Sequence, residues 1–355
     1  MTFYEKEKHT AVDAKFEAQK IAFGPFIFQA ALALRDLGIL AVIEKYDKVG
    51  IELSNLASEA NLPEYGVKVL IEAGLGMGLI MLNDNRFSIT KTGYFILHDE
   101  MTKVNMNFVQ DVNYEGFFHL QEAIKTGTPA GLKVFGEWPT VYQALASLPP
   151  KVKQSWFEFD HFYSDNAFKH VLPVLFKNKP KRLMDVGGNT GKWALQCVGY
   201  DTDVQVTIVD LPGQLRMAER NITEKGYSAR VDFHATNLLN PNDKLPTGHE
   251  AIWMSQFLDC FSQEEIISIL KRAAEVMTGH DALYILETYW NRQKYEAAAF
   301  CLQQTSLYFT CIANGNSQMY HSDDMKKCLD AAGLVVVEDI DHIGISHTLF
   351  KCVKK

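Results

Sequence analysis

Positive charge is what this chain has least to spare: 35 lysines and arginines face 43 aspartates and glutamates in 355 residues, a formal net charge of -8. Neutralising phosphates needs a basic face, so the balance argues against a nucleic-acid partner. Six cysteines form neither a C-x-x-C pair nor a regular framework, which predicts reduced, packed thiols and a cytoplasmic location. No apolar run reaches the roughly 20 residues of a membrane span. The most membrane-like stretch, Ile21 to Leu34, is short and is broken by Gly24-Pro25, so burial in protein is expected and no membrane partner. The opening MTFYEKEKHT has no signal-type apolar centre. Eleven histidines are scattered without ligand spacing, and no H-E-x-x-H motif or paired-carboxylate cluster appears, so no metal is expected.

What the chain does have is RLMDVGGNTG, Arg182 to Gly191. Leu183, Met184 and Val186 read as a buried strand. Gly187, Gly188 and Gly191 let the backbone turn tightly and approach a ligand that a Cβ would block. A second apolar, β-branched run, VQVTIVDLPG, ends in Asp210, about 20 residues further on, where a strand-end carboxylate accepts hydrogen bonds from both ribose hydroxyls. A dinucleotide loop cradles a pyrophosphate with G-x-G-x-x-G, whereas this one reads G-G-N-T-G behind Asp185. A carboxylate there repels phosphate and suits an ammonium group. S-adenosylmethionine, with a ribose, an amino-acid ammonium and no phosphate, therefore fits better than NAD.

Length and apolar content predict two domains. Residues 1–100 hold ELSNLASEAN, EYGVKVLIEAGLGMGLI and MLNDNRFSITKTG, two short helices and a hairpin turning at Asn83 to Asn85, a winged-helix outline. A DNA-binding regulator shares that outline, but the second helix carries Glu64, Lys68 and Glu72, not a basic reading face. Residues 101–175 form a helical connector dense in aromatics. From 176 to 355 strand and helix alternate, with strands expected at 182–186, 204–209, 230–233, 250–256, 281–287, 334–341 and 346–353 and helices between the first five. The last two pair as an antiparallel hairpin, so one strand of an otherwise parallel sheet runs backwards. The fold class is α/β, Rossmann-like, behind a mainly helical domain.

Four segments in order, DVGGNTG, Asp210-Leu211-Pro212, WMSQFLDCFSQEEI (Trp253 to Ile266) and LDAAGL (Leu329 to Leu334), resemble the S-adenosylmethionine-dependent small-molecule O-methyltransferases with an N-terminal dimerisation domain, typified by plant caffeate-type and bacterial polyketide enzymes. The resemblance covers nearly the whole chain. It implies a homodimer through residues 1 to about 100, with the apolar helix around Phe26 to Leu40 buried between subunits, and a small, aromatic, hydroxylated acceptor. For the cofactor it implies Asp185, Gly187 and Gly188 at the methionine and ribose, Asp210 at the ribose, Leu211 on adenine, Asn237-Leu238 beside adenine and Ser255 near the tail. For the acceptor it implies a roof of Phe159, His161, Phe162 and Tyr163; a plain helical core is the other reading of these rings.

The chain departs from this pattern where the family keeps its general base, a His in a motif like L-H-D-W-S after the fourth strand. Here FLDCFS puts Asp259 at the His position and Cys260 at the Asp. Glu287 matches a supporting carboxylate, and Met319-Tyr320-His321 stands where Glu-Arg-Thr is common. An ordinary carboxyl near pKa 4 lies about 6 units below a phenol, roughly 8 kcal/mol for complete transfer. Three readings stay open: Asp259 is the base; His321 or His161 supplies it from another wall; or the acceptor is a ring carbon ortho to a hydroxyl, a nitrogen or a carboxylate. Asp259 capping a helix that starts near Ser262, and a catalytically inactive ligand-binding winged-helix protein, are the competing outcomes.

Overall fold

The protein's structure, a computed structural model, describes residues 3–145 and 147–355. It divides into a smaller unit ending at Gln110 and a larger one running from Asp111 to Lys355. The segment 101–175 is thus not a body of its own. Its first ten residues belong to the smaller unit, and the long helix Pro150–Leu175 packs Ala167, Val171, Leu172 and Leu175 into the core of the larger.

In the smaller unit, helices Leu53–Ala60 and Glu64–Gly76 precede a hairpin of strands β1 (Ile80–Asn83) and β2 (Arg86–Ile89). Asp84 and Asn85, both at positive φ, make the two-residue turn that matches strand twist. Leu56, Val67 and Ile71 face the core, while Lys68 and Glu72 pair at the surface. The apolar helix of the sequence reading breaks at Leu37-Gly38 into Gly24–Asp36 and Ile39–Lys45, bent by 58°. Among the described residues no single helix is long and apolar enough to cross a membrane. Leu34, Ile39, Leu40 and Ile43 are fully buried within the unit's own core, a correction to the expectation that this stretch waits for a second subunit. The uncovered apolar side chains lie earlier: Val12 (79% exposed), Ile21 (81%) and Phe26 (73%), with Phe16 and Phe23. Helix Ala11–Ala22 buries no residue at all.

The larger unit is built on seven strands, β3 (Arg182–Val186), β4 (Gln205–Asp210), β5 (Val231–Ala235), β6 (Ala251–Ser255), β7 (Ala282–Glu287), β8 (Leu334–Ile343) and β9 (His347–Lys354), ordered β5-β4-β3-β6-β7-β9-β8. β9 runs antiparallel to both its neighbours, β7 and β8, whereas the other pairings of this sheet are parallel. Period-two alternation feeds two cores, one on each face. Ala251 and Trp253 of β6, with Tyr284 and Leu286 of β7, join Trp193 and the long helix; Ile252, Met254 and Ile285 join helix Gln263–Val276 and Phe350. Trp193 stacks on Trp253 with centroids 4.1 Å apart.

One crossover differs from expectation: no helix links β5 to β6. Residues 236–250 are turns instead, because Pro241 and Pro246 lack the amide donors a helix needs. The Arg272 guanidinium holds this loop by donating to the carbonyls of Asn240 and Asp243, each at 3.1 Å, and of Leu238.

Candidate active site

Strand order reverses between β3 and β6, and that is where a parallel sheet opens a crevice beyond its carboxyl ends. The turn after β3 fills one side. Gly187 sits at φ +73° with its N–H donating to Val209 O at 2.8 Å, and a Cβ there would lie 2.2 Å from the Phe257 ring. A Cβ on Gly188 would lie 2.6 Å from Asp185 Oδ2. Asp210, ending β4, accepts from the Asn189 amide at 2.8 Å and the Leu211 amide at 2.6 Å, one on each oxygen. Four lone-pair sites on a carboxylate leave room for two more donors. Burial pushes the Asp210 pKa up against those two amides.

Asp185 is 2% exposed, and its pKa is raised to about 8, first by burial and then by the charge of Asp210. Its Oδ2 is buried without a hydrogen-bond partner, as are Asn189 Oδ1, Ser255 Oγ and Gln256 Oε1 around the same crevice. An unsatisfied buried polar atom costs about 1–3 kcal/mol, so four together mark a place made for a polar ligand. The set is rich in acceptors and, with Asp210 beside it, offers two carboxylates. It matches an ammonium and ribose hydroxyls and mismatches phosphate. Asn237 and Leu238 stand in the loop after β5, where Asn237 Oδ1 accepts from the Leu239 amide and Leu238 is buried. Leu211 begins helix Pro212–Glu224 as its N-cap.

The other side of the crevice follows β6. Asp259 lies in the short 3-10 turn Leu258–Cys260 and is 6% exposed. Its pKa is raised to about 7 by burial, with the nearby charge of Asp160 adding to the effect. It does not cap the next helix: Ser262 does, in a reciprocal capping box with Glu265. Glu287, ending β7, is also buried. Its Oε1 accepts from the amides of Phe257 (3.0 Å) and Leu258 (2.8 Å), fixing the turn that carries Asp259, while Oε2 has no hydrogen-bond partner. Burial and then Asp259 push Glu287 well above the usual carboxylate range. Cys260 Sγ stands 3.5 Å from Asp259 Oδ1, and the Cys260 carbonyl accepts from the Asn314 amide group.

His321 is placed differently. It is the N-cap of helix Ser322–Ala331, its Nδ1 accepting the Asp323 amide at 3.1 Å and its ring edge-on to Trp290. Its neighbour Tyr320 turns inward, donating to Phe261 O at 2.6 Å. On the long helix, Phe159 and Phe162 both pack on Tyr163, and His161 lies against Phe157, with all four proposed roof residues partly exposed. The same helix brings two other residues to the Asp259 side. Trp156 donates its Nε1–H to the buried Tyr308 hydroxyl at 2.7 Å, and Asp160, one turn later, acts on both Asp259 and Tyr308. Tyr142 comes close to Cys260. Trp156, Asp160, Tyr142, Tyr308 and Asn314 were not singled out from sequence. The i, i+4 spacing of Trp156 and Asp160 was the available signal for two of them.

Comparison with known proteins bears on this geometry. A family profile described as O-methyltransferase domain matches residues 117–335, and one described as Dimerisation2-like domain matches 15–87. The L-tyrosine C(3)-methyltransferase of Streptomyces lavendulae is 22% identical over 317 residues, covering 88% of this chain and 85% of that protein. The apo structure of the S-adenosylmethionine-dependent methyltransferase SibL superposes with a TM-score of 0.71 at 22% identity, over 94% of this chain and 98% of that one. The O-methyltransferase NcsB1 from neocarzinostatin biosynthesis, solved with S-adenosylmethionine and 2-hydroxy-5-methyl naphthoic acid, superposes with a TM-score of 0.62 at 18% identity, over 92% and 96% of the two chains.

Proposed function

Because this chain belongs to the O-methyltransferase family, and as a member is a methyltransferase that uses S-adenosylmethionine, we propose that its acceptor is a small hydroxylated aromatic molecule and that Asp259 is the general base. The observation that carries the reading is the buried Asp259 on a turn clamped by Glu287 at the open end of β6. The donor supplies an electrophilic methyl group on a sulfonium. Asp185 and Asp210 would hold its ammonium and ribose, and Gly187, Gly188, Leu211, Asn237, Leu238 and Ser255 would shape the surrounding wall. Asp259 would take the acceptor's hydroxyl proton, leaving a phenolate oxygen aligned to attack the methyl carbon as the C–S bond breaks and the neutral thioether leaves. With Asp259 raised to about 7, the gap to a phenol near pKa 10 falls to about 3 units, or about 4 kcal/mol.

A second acceptor atom is favoured by one observation, the likeness to an L-tyrosine C(3)-methyltransferase. Phenolate formation by the same Asp259 also loads negative charge onto the ortho ring carbon, which then takes the methyl and later loses its proton. Product analysis by mass spectrometry and NMR, on phenols incubated with methyl-labelled donor, separates oxygen from carbon transfer. Failure to transfer to any phenol would overturn the reading.

Cofactor binding carries its own pH signature. A cationic ligand favours ionised Asp185, which below about pH 8 is protonated in the free protein. Affinity for S-adenosylhomocysteine is therefore expected to rise about tenfold per unit between pH 6 and 7.5 and to level off above 8. The sign for stability is opposite. A raised carboxyl pKa favours the folded state at low pH, and that contribution is lost as pH climbs through 8, so ligand-induced thermal stabilisation should grow over the same window. Calorimetry and thermal melts check both; a flat pH profile would remove Asp185 from the ammonium site.

The protein is further proposed to be a homodimer in the cytoplasm, its dimer seam formed by helix Ala11–Ala22 and the start of Gly24–Asp36. Phe16, Ile21, Phe23 and Phe26 are exposed there within the stretch matching a dimerisation domain, with Val12 exposed just before it, and covering such side chains stabilises by about 25 cal/mol per Å². Light scattering at micromolar concentration should give twice the 40.1 kDa chain mass, and Ile21→Asp with Phe26→Asp should halve it. A monomeric wild type would defeat this interface.

A further inference from the structure

Asp259 rides on a turn that cannot hold itself. Leu258–Cys260 is a single 3-10 turn whose own backbone bonds, Cys260 N–H to Phe257 O and Phe261 N–H to Leu258 O, are both 3.2 Å long, the long limit of an N–H···O bond. Its geometry is therefore set from outside. On the amide side Glu287 takes the N–H groups of Phe257 and Leu258. On the carbonyl side two donors reach the two residues that follow Asp259: the Asn314 side-chain amide donates to Cys260 O, and the Tyr320 hydroxyl to Phe261 O at 2.6 Å. Both come from one segment, which leaves the π-helical turn Phe309–Ala313 and is itself anchored. The Asn314 and Gly315 amides donate to Phe309 O, a Cβ on Gly315 would lie 2.4 Å from Thr128 Cα, and the Met319 amide donates to Ser306 Oγ at 3.1 Å. Asn314 Oδ1 accepts from Ser317 Oγ at 2.9 Å and from the Asn316 amide at 3.3 Å, which leaves its NH2 group for Cys260.

Accepting Asp259 as the base, we propose that Asn314 and Tyr320 are positioning residues that aim its carboxyl at the acceptor, acting through the carbonyls of Cys260 and Phe261. Close packing is not what sets this register. An open cavity of about 500 Å³ lies between the segment and the start of helix Gln263–Val276, with Ser262, Gln263, Asn316, Ser317, Gln318 and Tyr320 in its wall, so on that side the hydrogen bonds hold the segment and the turn together. Both donors also stay uncharged: burial pushes the Tyr320 phenol up, and an amide does not titrate. Losing either one therefore misplaces Asp259 without changing the charge beside it. A shift of about 1 Å in a reacting group can cost about 100-fold in rate, and one lost tether of two is expected to cost about tenfold.

An acceptor that arrives ionised needs no base, and this separates aim from general damage. The phenol with the highest turnover, still protonated at pH 8, is compared with its nitro-substituted analogue, already a phenolate there; catechol and 4-nitrocatechol are the first such pair. Transfer from labelled S-adenosylmethionine is measured on the full chain. Tyr320→Phe and Asn314→Ala are each expected to lower kcat on the protonated phenol about tenfold and on the phenolate by less than about threefold, with S-adenosylhomocysteine affinity by calorimetry within about threefold of wild type. In an Asp259→Asn background the same changes should cost less than about threefold more, since no base is left to aim. Should Asn314→Ala fail to fold, Tyr320→Phe, which removes a single oxygen, decides. Full activity of Tyr320→Phe on the protonated phenol, or an equal loss on both phenols, overturns the inference while leaving Asp259 as the base. A fully active Asp259→Asn, or no transfer to any phenol, counts against both.

Discussion

Asp210→Ala is expected to weaken S-adenosylhomocysteine binding by roughly 30- to 150-fold, about 2–3 kcal/mol, through the donors it leaves unpaired. Two effects add. The ribose loses its acceptor, and the Asn189 and Leu211 amides, at 2.8 and 2.6 Å from the two carboxylate oxygens, lose the group that ties the glycine turn to the end of β4. Gly187→Ala is expected to do comparable damage by another route. The new Cβ would lie 2.2 Å from Phe257 on a backbone at φ +73°, so ring and loop must both move. Gly199→Ala, inside helix Lys192–Tyr200 where a Cβ meets nothing within 4 Å, is the control. It should bind normally and gain about 0.5–1 kcal/mol of stability. Calorimetry at constant pH and salt checks all three; affinity for the Asp210→Ala variant within threefold of wild type would refute its assignment.

The residues proposed for the cofactor stand out in the sequence because backbone geometry dictates their type. A turn at positive φ against a neighbouring ring leaves little besides glycine at position 187, and parallel strands buried on both faces read as mostly apolar segments, with Asp185 next to the end of one and Asp210 closing the other. All seven sheet strands fall within two residues of their expected ends for the same reason. The helix expected between β5 and β6 failed because spacing alone suggested it, while Pro241 and Pro246 forbade it. The break at Leu37-Gly38 was hidden by continuous apolarity on both sides, and so the stretch that fills the small unit's own core was read as its dimer face. On the acceptor side the difficulty is of another kind. Trp156, Asp160, Tyr142, Tyr308 and Asn314 come from four separate segments, and nothing local marks an aspartate on a mixed helix as facing a site. Glu287 was picked as a supporting carboxylate, but its hydrogen bonds to the amides of Phe257 and Leu258 depend on β6 and β7 being neighbours, which only the sheet order reveals.

Asp259→Asn carries the largest consequence for turnover. Asn keeps the shape of the side chain on a turn whose geometry is set by Glu287 from below, so fold and S-adenosylhomocysteine affinity should persist while kcat/KM falls by about 100-fold or more, the usual worth of a positioned base. The wild-type pH profile supplies the second readout. Burial and Asp160 raise Asp259 to about 7, and a base works only when ionised. Rate should therefore climb about tenfold per unit below pH 7 and level off above it, and the acidic limb should vanish in Asp259→Asn. Burial of this carboxyl works against stability in the same window: with its folded pKa above the unfolded value near 4, the folded state is favoured below pH 4 and loses that advantage as pH rises through 7. Asn, which cannot ionise, should be as stable as wild type in acid and more stable at pH 8. If turnover survives in Asn but collapses in His321→Ala, the proton goes instead to the Nε2 of a histidine whose Nδ1 already caps a helix. Should both variants stay active, alignment alone drives transfer and the acceptor ionises unaided.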